Sequence, residues 1–135
     1  MVQSLAQDPT YPNGRNALLF VGTIARTDTT AKILFTLPAG CIPTVIRYTS
    51  PAASNAATTA VISVGKSGGS GVEYITTADV KTAATGAGQV FPNGPAASLL
   101  GQVATASQTV TGIYAETGAA SNTGGPWTVI LEAIT

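Results

Sequence analysis

The chain has 135 residues, of which 44% are hydrophobic and 9% are charged, and its six basic residues balance six acidic ones. A domain of this length can bury a sizeable core without a disulfide or a metal, and its hydrophobicity excludes intrinsic disorder. Binding to nucleic acid is not expected, because contact with phosphates needs clustered Lys and Arg and the sequence has no basic run. No apolar stretch approaches the roughly 18 residues of a membrane span.

Residues 1–16 differ from the rest of the chain, since they contain Pro9, Pro12 and Gly14 with only isolated apolar residues. We predict an extended N-terminal arm here, with the β-sandwich domain occupying residues 17–135. The arm has neither a basic start nor an apolar segment, so a secretion signal is not predicted. Tyr11 and Arg15 are candidate contact residues of the arm. The alternative is that the arm pairs along its own sheet.

The remainder of the chain consists of short segments of alternating hydrophobicity, each bounded by Gly, Pro, Asn or Ser. This pattern predicts strands at 18–25, 32–37, 45–49, 58–64, 72–76, 109–114 and 127–134, with a weaker one at 99–104. In the second of these, Ile33, Phe35 and Leu37 alternate with Lys32, Leu34 and Thr36. Asp28 is expected in a hairpin turn before that strand, and a calcium site is not expected there, because the other oxygen ligands are missing.

One short segment, 77–85, is the single helical candidate, as a capped turn starting near Thr77 or Asp79. About eight strands joined by turn-rich loops predict an all-β, single-domain, jelly-roll-like β-sandwich. An immunoglobulin-like sandwich is the second choice.

The residue types needed for catalysis are scarce. The chain has no histidine, and Cys41 is its only cysteine, so the usual general base and the soft ligand sets of zinc and iron are missing. No two carboxylates lie close in sequence. We therefore expect no enzymatic activity, no metal and no cofactor. A lone cysteine suits assembly in a reducing cytoplasm.

Two motifs have competing interpretations. Gly65-Lys66-Ser67 resembles the end of a phosphate-binding loop, but that pattern needs a glycine where Ala60 stands, so a strand-to-strand loop is predicted. Trp127 begins the last strand, where it could stack on a sugar, anchor an interface or pack in the core.

Several segments together resemble a known family. They are Phe35–Pro43, Ala60–Gly65, Tyr74–Val80 and Gly124–Glu132. These segments are similar to small virion proteins of tailed bacteriophages, and most of all to the jelly-roll head decoration, or cement, proteins of podovirus-like phages. The resemblance spans roughly residues 20–134 and rests on turns and strand edges. Residues 1–16 match no pattern of that family.

The resemblance implies a place on the capsid exterior of the virion, after assembly in the host cytoplasm. There the protein would bind the major capsid protein and cement neighbouring subunits. The family has no catalytic residues to transfer to this chain. Similar segments could also occur in a tail, neck or fibre-base module, and a carbohydrate-binding sandwich using Trp127 or a tyrosine is a further alternative.

The neutral, weakly charged surface itself indicates a protein that other subunits cover. We expect a homo-oligomer, with a dimer favoured and a trimer possible. Loops of a rigid sandwich usually make the binding contacts. The predicted interface residues are Tyr11, Arg15, Phe91, Asn93, Asn122 and Trp127.

Overall fold

The structure, a computed structural model, describes residues 2–4, 17–82, 89–90 and 105–135. Nine strands lie in these ranges, and two of them, β1 and β7, are described by their backbone alone. The strands are β1 (Val2–Ser4), β2 (Ala17–Ile24), β3 (Lys32–Leu37), β4 (Ile42–Thr49), β5 (Thr59–Lys66), β6 (Ile75–Asp79), β7 (Gln89–Val90), β8 (Gln108–Thr117) and β9 (Trp127–Ile134).

The strands form two antiparallel sheets. The first has the order β1-β2-β9-β4-β7 and the second the order β3-β8-β5-β6. From β3 onward each strand lies in the opposite sheet to the strand before it, except that β6 lies next to β5 in one sheet. This connectivity of eight strands in two four-stranded sheets, with β1 added at one edge, is a jelly roll. The predicted all-β sandwich is therefore confirmed.

The two sheets bury a shared core through the period-two pattern of their strands. In β9, Trp127, Val129, Leu131 and Ala133 are buried while the residues between them are half-buried. The same alternation appears in β8, where Val110 and Tyr114 point inward. Burial of one large aliphatic side chain contributes about 1.5–3 kcal/mol. The largest wholly buried side chains are Trp127, Tyr74, Tyr114, Phe20, Ile24, Leu37, Ile46, Ile62, Ile75 and Leu131.

A bulge in β3 changes which side chains face the core. The pairing of β3 with β8 shifts between Ile33 and Phe35, so Ile33 does not share the buried side of Phe35 and Leu37, and its side chain is 66% exposed. Leu34 turns inward and packs against the core instead. Two glycines leave room for Leu34: a Cβ on Gly22 would lie 2.7 Å from its Cβ, and one on Gly112 would lie 2.9 Å from its Cδ1.

The turn at Asp28 is present, but the predicted hairpin is wrong, because β2 and β3 lie in opposite sheets. The Asp28 amide donates to the carbonyl of Ala25 at 3.0 Å. In return the Asp28 carboxylate accepts from the Ala25 amide at 2.7 Å and from Lys32 Nζ at 3.0 Å. The hydrogen bond from the Ala25 amide, with help from Lys32, lowers the pKa of Asp28. The carboxylate thus stabilises the turn through which the chain passes from the first sheet to the second.

The predicted helical turn at 77–85 is also wrong over the residues that the structure describes. Thr77 and Asp79 lie in β6, which pairs with β5, and Thr77 has a φ of +94°. Asp79 does cap a turn: its Oδ1 accepts from the amides of Lys81 at 2.8 Å and Thr82 at 3.2 Å. Pairing with β5 outweighs the weak helical preference of this segment.

The first residues of the predicted arm follow the alternative interpretation. Val2, Gln3 and Ser4 pair antiparallel with Phe20, Leu19 and Leu18 of β2. Residues 5–16 and the weaker strand predicted at 99–104 lie outside the described residues.

Candidate interaction surfaces

Of the six predicted interface residues, the structure describes two. Asn122 lies at the surface, and Trp127 is wholly buried. Tyr11, Arg15, Phe91 and Asn93 lie outside the described residues.

Trp127 belongs to the core, which corrects its assignment to an interface. Its ring stacks on that of Tyr114 with 5.0 Å between centroids and 12° between planes. The structure describes six aromatic side chains, and none is more than 6% exposed: Phe20, Phe35, Tyr48, Tyr74, Tyr114 and Trp127. Among these residues there is therefore no aromatic platform for a sugar, as the carbohydrate-binding alternative requires.

Asn122 joins two loops at one end of the sandwich. Its Oδ1 accepts from Asn55 Nδ2 at 2.7 Å, while Asn55 Oδ1 accepts from the amides of Asn122 at 2.9 Å and Thr123 at 3.0 Å. The amide of Gly125 donates to the carbonyl of Ala52 at 3.0 Å. The β8–β9 loop, which carries the predicted interface residue Asn122, is thus fixed to the β4–β5 loop and presents a preorganised surface.

A cluster of hydroxyl groups lies beneath these loops. Tyr114 Oη is 2.8 Å from Ser54 Oγ and donates to Glu116 Oε2 at 2.6 Å, and Ser121 Oγ donates to the same oxygen at 2.5 Å. The hydrogen bonds from Ser121 and Tyr114 lower the pKa of Glu116. Burial and the neighbouring Glu116 raise the pKa of Tyr114. With Tyr114 and Ser54 buried, the cluster positions the loops.

The outer face of the first sheet is formed by the outward side chains of β2, β9 and β4, and we call it the β2–β9–β4 face. Its half-buried aliphatic side chains are Leu19, Val21, Ile42, Val45, Ile130 and Ile134. Arg47 and Glu132 form an ion pair among them. Three rows of this face are apolar apart from that pair, and a fourth row consists of threonines, Thr23, Thr128 and Thr49. Sequence reasoning did not single out this face.

On the outer side of the second sheet, the β5–β6 loop folds back over Gly65. Gly65-Lys66-Ser67 spans the end of β5 and the start of this loop, which forms the predicted strand-to-strand connection. The Glu73 carboxylate accepts hydrogen bonds from the amides of Lys66 at 2.8 Å and Ser70 at 2.5 Å and from Ser70 Oγ at 2.9 Å. These donors are thus already engaged within the chain.

The hydrogen bonds at Glu73 also determine its charge. Burial alone would raise the pKa of this carboxyl, but the donors from Lys66 and Ser70 outweigh it and lower the pKa from 4.5 to about 2. Because the pKa is depressed in the folded state, the ionised group stabilises the fold above pH 4.5. That contribution is lost as the pH falls from 4.5 towards 2.

We expect Glu73→Gln to lower the free energy of unfolding by about 1–3 kcal/mol at pH 7. The difference from the unmodified chain should shrink as the pH falls from 4.5 towards 2. Urea unfolding between pH 2 and 7 measures both effects. Glu132→Gln is the matched control, since its exposed ion pair contributes about 0–1 kcal/mol. Equal losses in the two variants at pH 7 would contradict the role assigned to Glu73.

A shallow groove of about 340 Å³ lies beside this loop. Its lining includes Ala31, Val72, Thr111 and Ile113.

Cys41 is buried elsewhere, and burial raises the pKa of its thiol. Within the described ranges, no three His, Cys, Asp or Glu residues come together to hold a metal ion. The same ranges contain no helix that could cross a membrane.

Comparison with known proteins gives structural matches only. No family model and no curated sequence matches the chain. A chain in the acidic stable capsid structure of Helicobacter pylori bacteriophage KHP30 is similar in structure, with a TM-score of 0.61 and 14% identity, over 99% of this chain and 91% of that one. A chain of the cyanophage Pam1 capsid asymmetric unit has a TM-score of 0.62 and 21% identity, over 98% and 92%.

These matches define a class by fold. The chain is a single jelly-roll sandwich of the kind found in the capsids of two bacteriophages. Each match covers more than nine-tenths of both chains, so the chains are of similar length.

Proposed function

We propose that the chain is a structural protein of a phage virion, which attaches to the outer surface of the capsid and cements neighbouring major capsid subunits. The observation that carries this proposal is the likeness to two phage capsid chains over more than nine-tenths of each chain. The segments that resemble cement proteins, such as Ala60–Gly65 in β5 and Trp127–Glu132 in β9, form the framework of this fold.

The surface is suited to contact with other proteins. The β2–β9–β4 face presents aliphatic side chains and one ion pair, and the end loops around Asn55 and Asn122 are held by their own hydrogen bonds. Preorganised loops lose little entropy on binding. In this proposal the protein acts through contact area, without catalysis or cofactor.

Weak contacts suffice for such a role. A protomer that touches two neighbouring capsid subunits makes the second contact from an already bound state, so the effective concentration is high. Self-association of the bound copies would strengthen the layer further. The alternative placement in a tail, neck or fibre base uses the same fold, and no feature of the described residues favours it.

We expect the purified protein to bind expanded capsid shells at a fixed stoichiometry and to raise their disruption temperature. A ligand at 100 times its Kd stabilises the bound state by about 2.7 kcal/mol. Co-sedimentation with shells measures the stoichiometry, and light scattering on heating measures disruption. The control is the same shells without added protein. Absence of binding, with no gain in disruption temperature, would refute the cement role.

A further inference from the structure

The β2–β9–β4 face carries one basic and one acidic side chain in adjacent rows. Glu132 lies on the central strand β9, between Leu19 of β2 and Val45 of β4. In the next row, Ile130 lies between Val21 and Arg47. The side chains of Arg47 and Glu132 are 48% and 38% exposed, so both remain accessible while paired with each other.

This arrangement is self-complementary. The face carries one positive and one negative group, side by side and surrounded by aliphatic side chains. When two copies pack face to face, a two-fold axis that lies between the faces and parallel to them would bring Arg47 of one copy over Glu132 of the other, and the reverse, because a two-fold interface joins the same patch on both subunits. The aliphatic side chains would meet one another across the same axis. Two sheets pack in this way at about 10 Å separation.

We propose that the β2–β9–β4 face binds a second copy of this chain in a two-fold dimer, in which Arg47 and Glu132 exchange partners between the copies. This inference deepens the proposed homo-oligomer and rests on that part of the proposed function. It names the surface and the groups that align the copies.

The face is small for a protein–protein interface. Three strands of eight residues span about 14 Å by about 26 Å, at about 4.8 Å between strands and 3.3 Å per residue. This footprint is below the roughly 800 Å² per partner of a standard interface. The free protein therefore dimerises weakly, and copies held close together on a surface dimerise more completely because their effective concentration is higher.

The dimer is tested by reversing the charge of Arg47 in one variant and of Glu132 in another, and by mixing the two. Analytical ultracentrifugation of the full chain from about 1 µM to about 1 mM covers the range of weak association. We expect the unmodified chain to dimerise within that range. Arg47→Glu gives copies with two acidic groups on the face, and Glu132→Arg gives copies with two basic groups. Each variant alone should dimerise at least tenfold more weakly, and an equimolar mixture should restore dimerisation as a heterodimer.

Lys32→Glu is the matched control, because it reverses one charge of the exposed Lys32–Asp28 pair away from this face and should leave dimerisation unchanged. Circular dichroism checks that each variant is folded. An unmodified chain that is monomeric at about 1 mM, variants that associate like it, or a mixture no more associated than its components would each overturn the inference. Shell binding is measured separately. An unmodified chain that binds shells but does not dimerise refutes this face alone, and one that dimerises but does not bind shells refutes the cement role alone.

Discussion

Replacing Trp127 by alanine is expected to lower the free energy of unfolding by about 3–5 kcal/mol. The side chain is wholly buried and stacks on Tyr114 between the two sheets. Its removal leaves a cavity that the surrounding strands cannot close. Since domains of this kind have a stability of about 5–15 kcal/mol, this one change removes a large share of it. Thermal and urea unfolding followed by circular dichroism measure the loss.

Two further variants serve as comparisons: Trp127→Phe removes the buried indole N–H but keeps an aromatic ring, and Ile33→Ala changes an exposed side chain. The Trp127 Nε1 donor is buried and has no acceptor among the described residues, and a buried donor without a partner is unfavourable. Trp127→Phe removes that donor and keeps a ring, so it should cost much less than the alanine change. Ile33→Ala, at a side chain 66% exposed, should change stability by no more than about 0.5 kcal/mol. A mild effect of Trp127→Ala would contradict the core assignment.

Gly65→Ala is the second large effect expected. A Cβ at this position would overlap the carbonyl carbon of Gly71 and Oε2 of Glu73. Backbone atoms must therefore move, and the β5–β6 loop has to lift from the sheet. We expect a loss of about 1–3 kcal/mol in unfolding free energy. We also expect the pKa of Glu73 to return from about 2 towards 4.5, because the amides that hold its carboxylate move away.

Gly40→Ala is the control for that experiment. Gly40 has a φ of +83° and nothing within 4 Å of its Cβ position, so alanine there costs about 1–2 kcal/mol through the backbone alone. It should leave the pKa of Glu73 at about 2. Titration of the Glu73 carboxyl by NMR distinguishes the two variants. A Glu73 pKa that stays low in Gly65→Ala would show that the loop does not depend on this glycine.

Alternating hydrophobicity predicted most of the strands because they are half-buried. The predicted strands at 32–37 and 127–134 agree with β3 and β9. The exposure of Ile33 could not be read from the alternation within β3, because it follows from a bulge in the pairing with β8, which the strand's own sequence does not encode. For the same reason β6 was partly misread as a helical turn. Its conformation follows from pairing with β5, and it contains Thr77 at positive φ.

The candidate site was less predictable than the fold. Asn122 was predicted as an interface residue from its position in a loop, and its side chain is hydrogen-bonded to Asn55. Trp127 was predicted from its aromatic character, and it lies in the core. The β2–β9–β4 face was missed, although its signal is present: Leu18 to Val21 and Val129 to Leu131 are apolar at every position. Strands that are apolar at consecutive positions are typical of sheets covered on both sides.

A reconstruction of the virion that carries this chain tests the central claim most directly. We predict a jelly-roll density on the outside of the capsid shell, bridging neighbouring major capsid subunits, into which the two sheets fit without rearrangement. A shell with no such density, or the same density confined to the tail or the neck, would contradict the proposal that this protein cements the capsid.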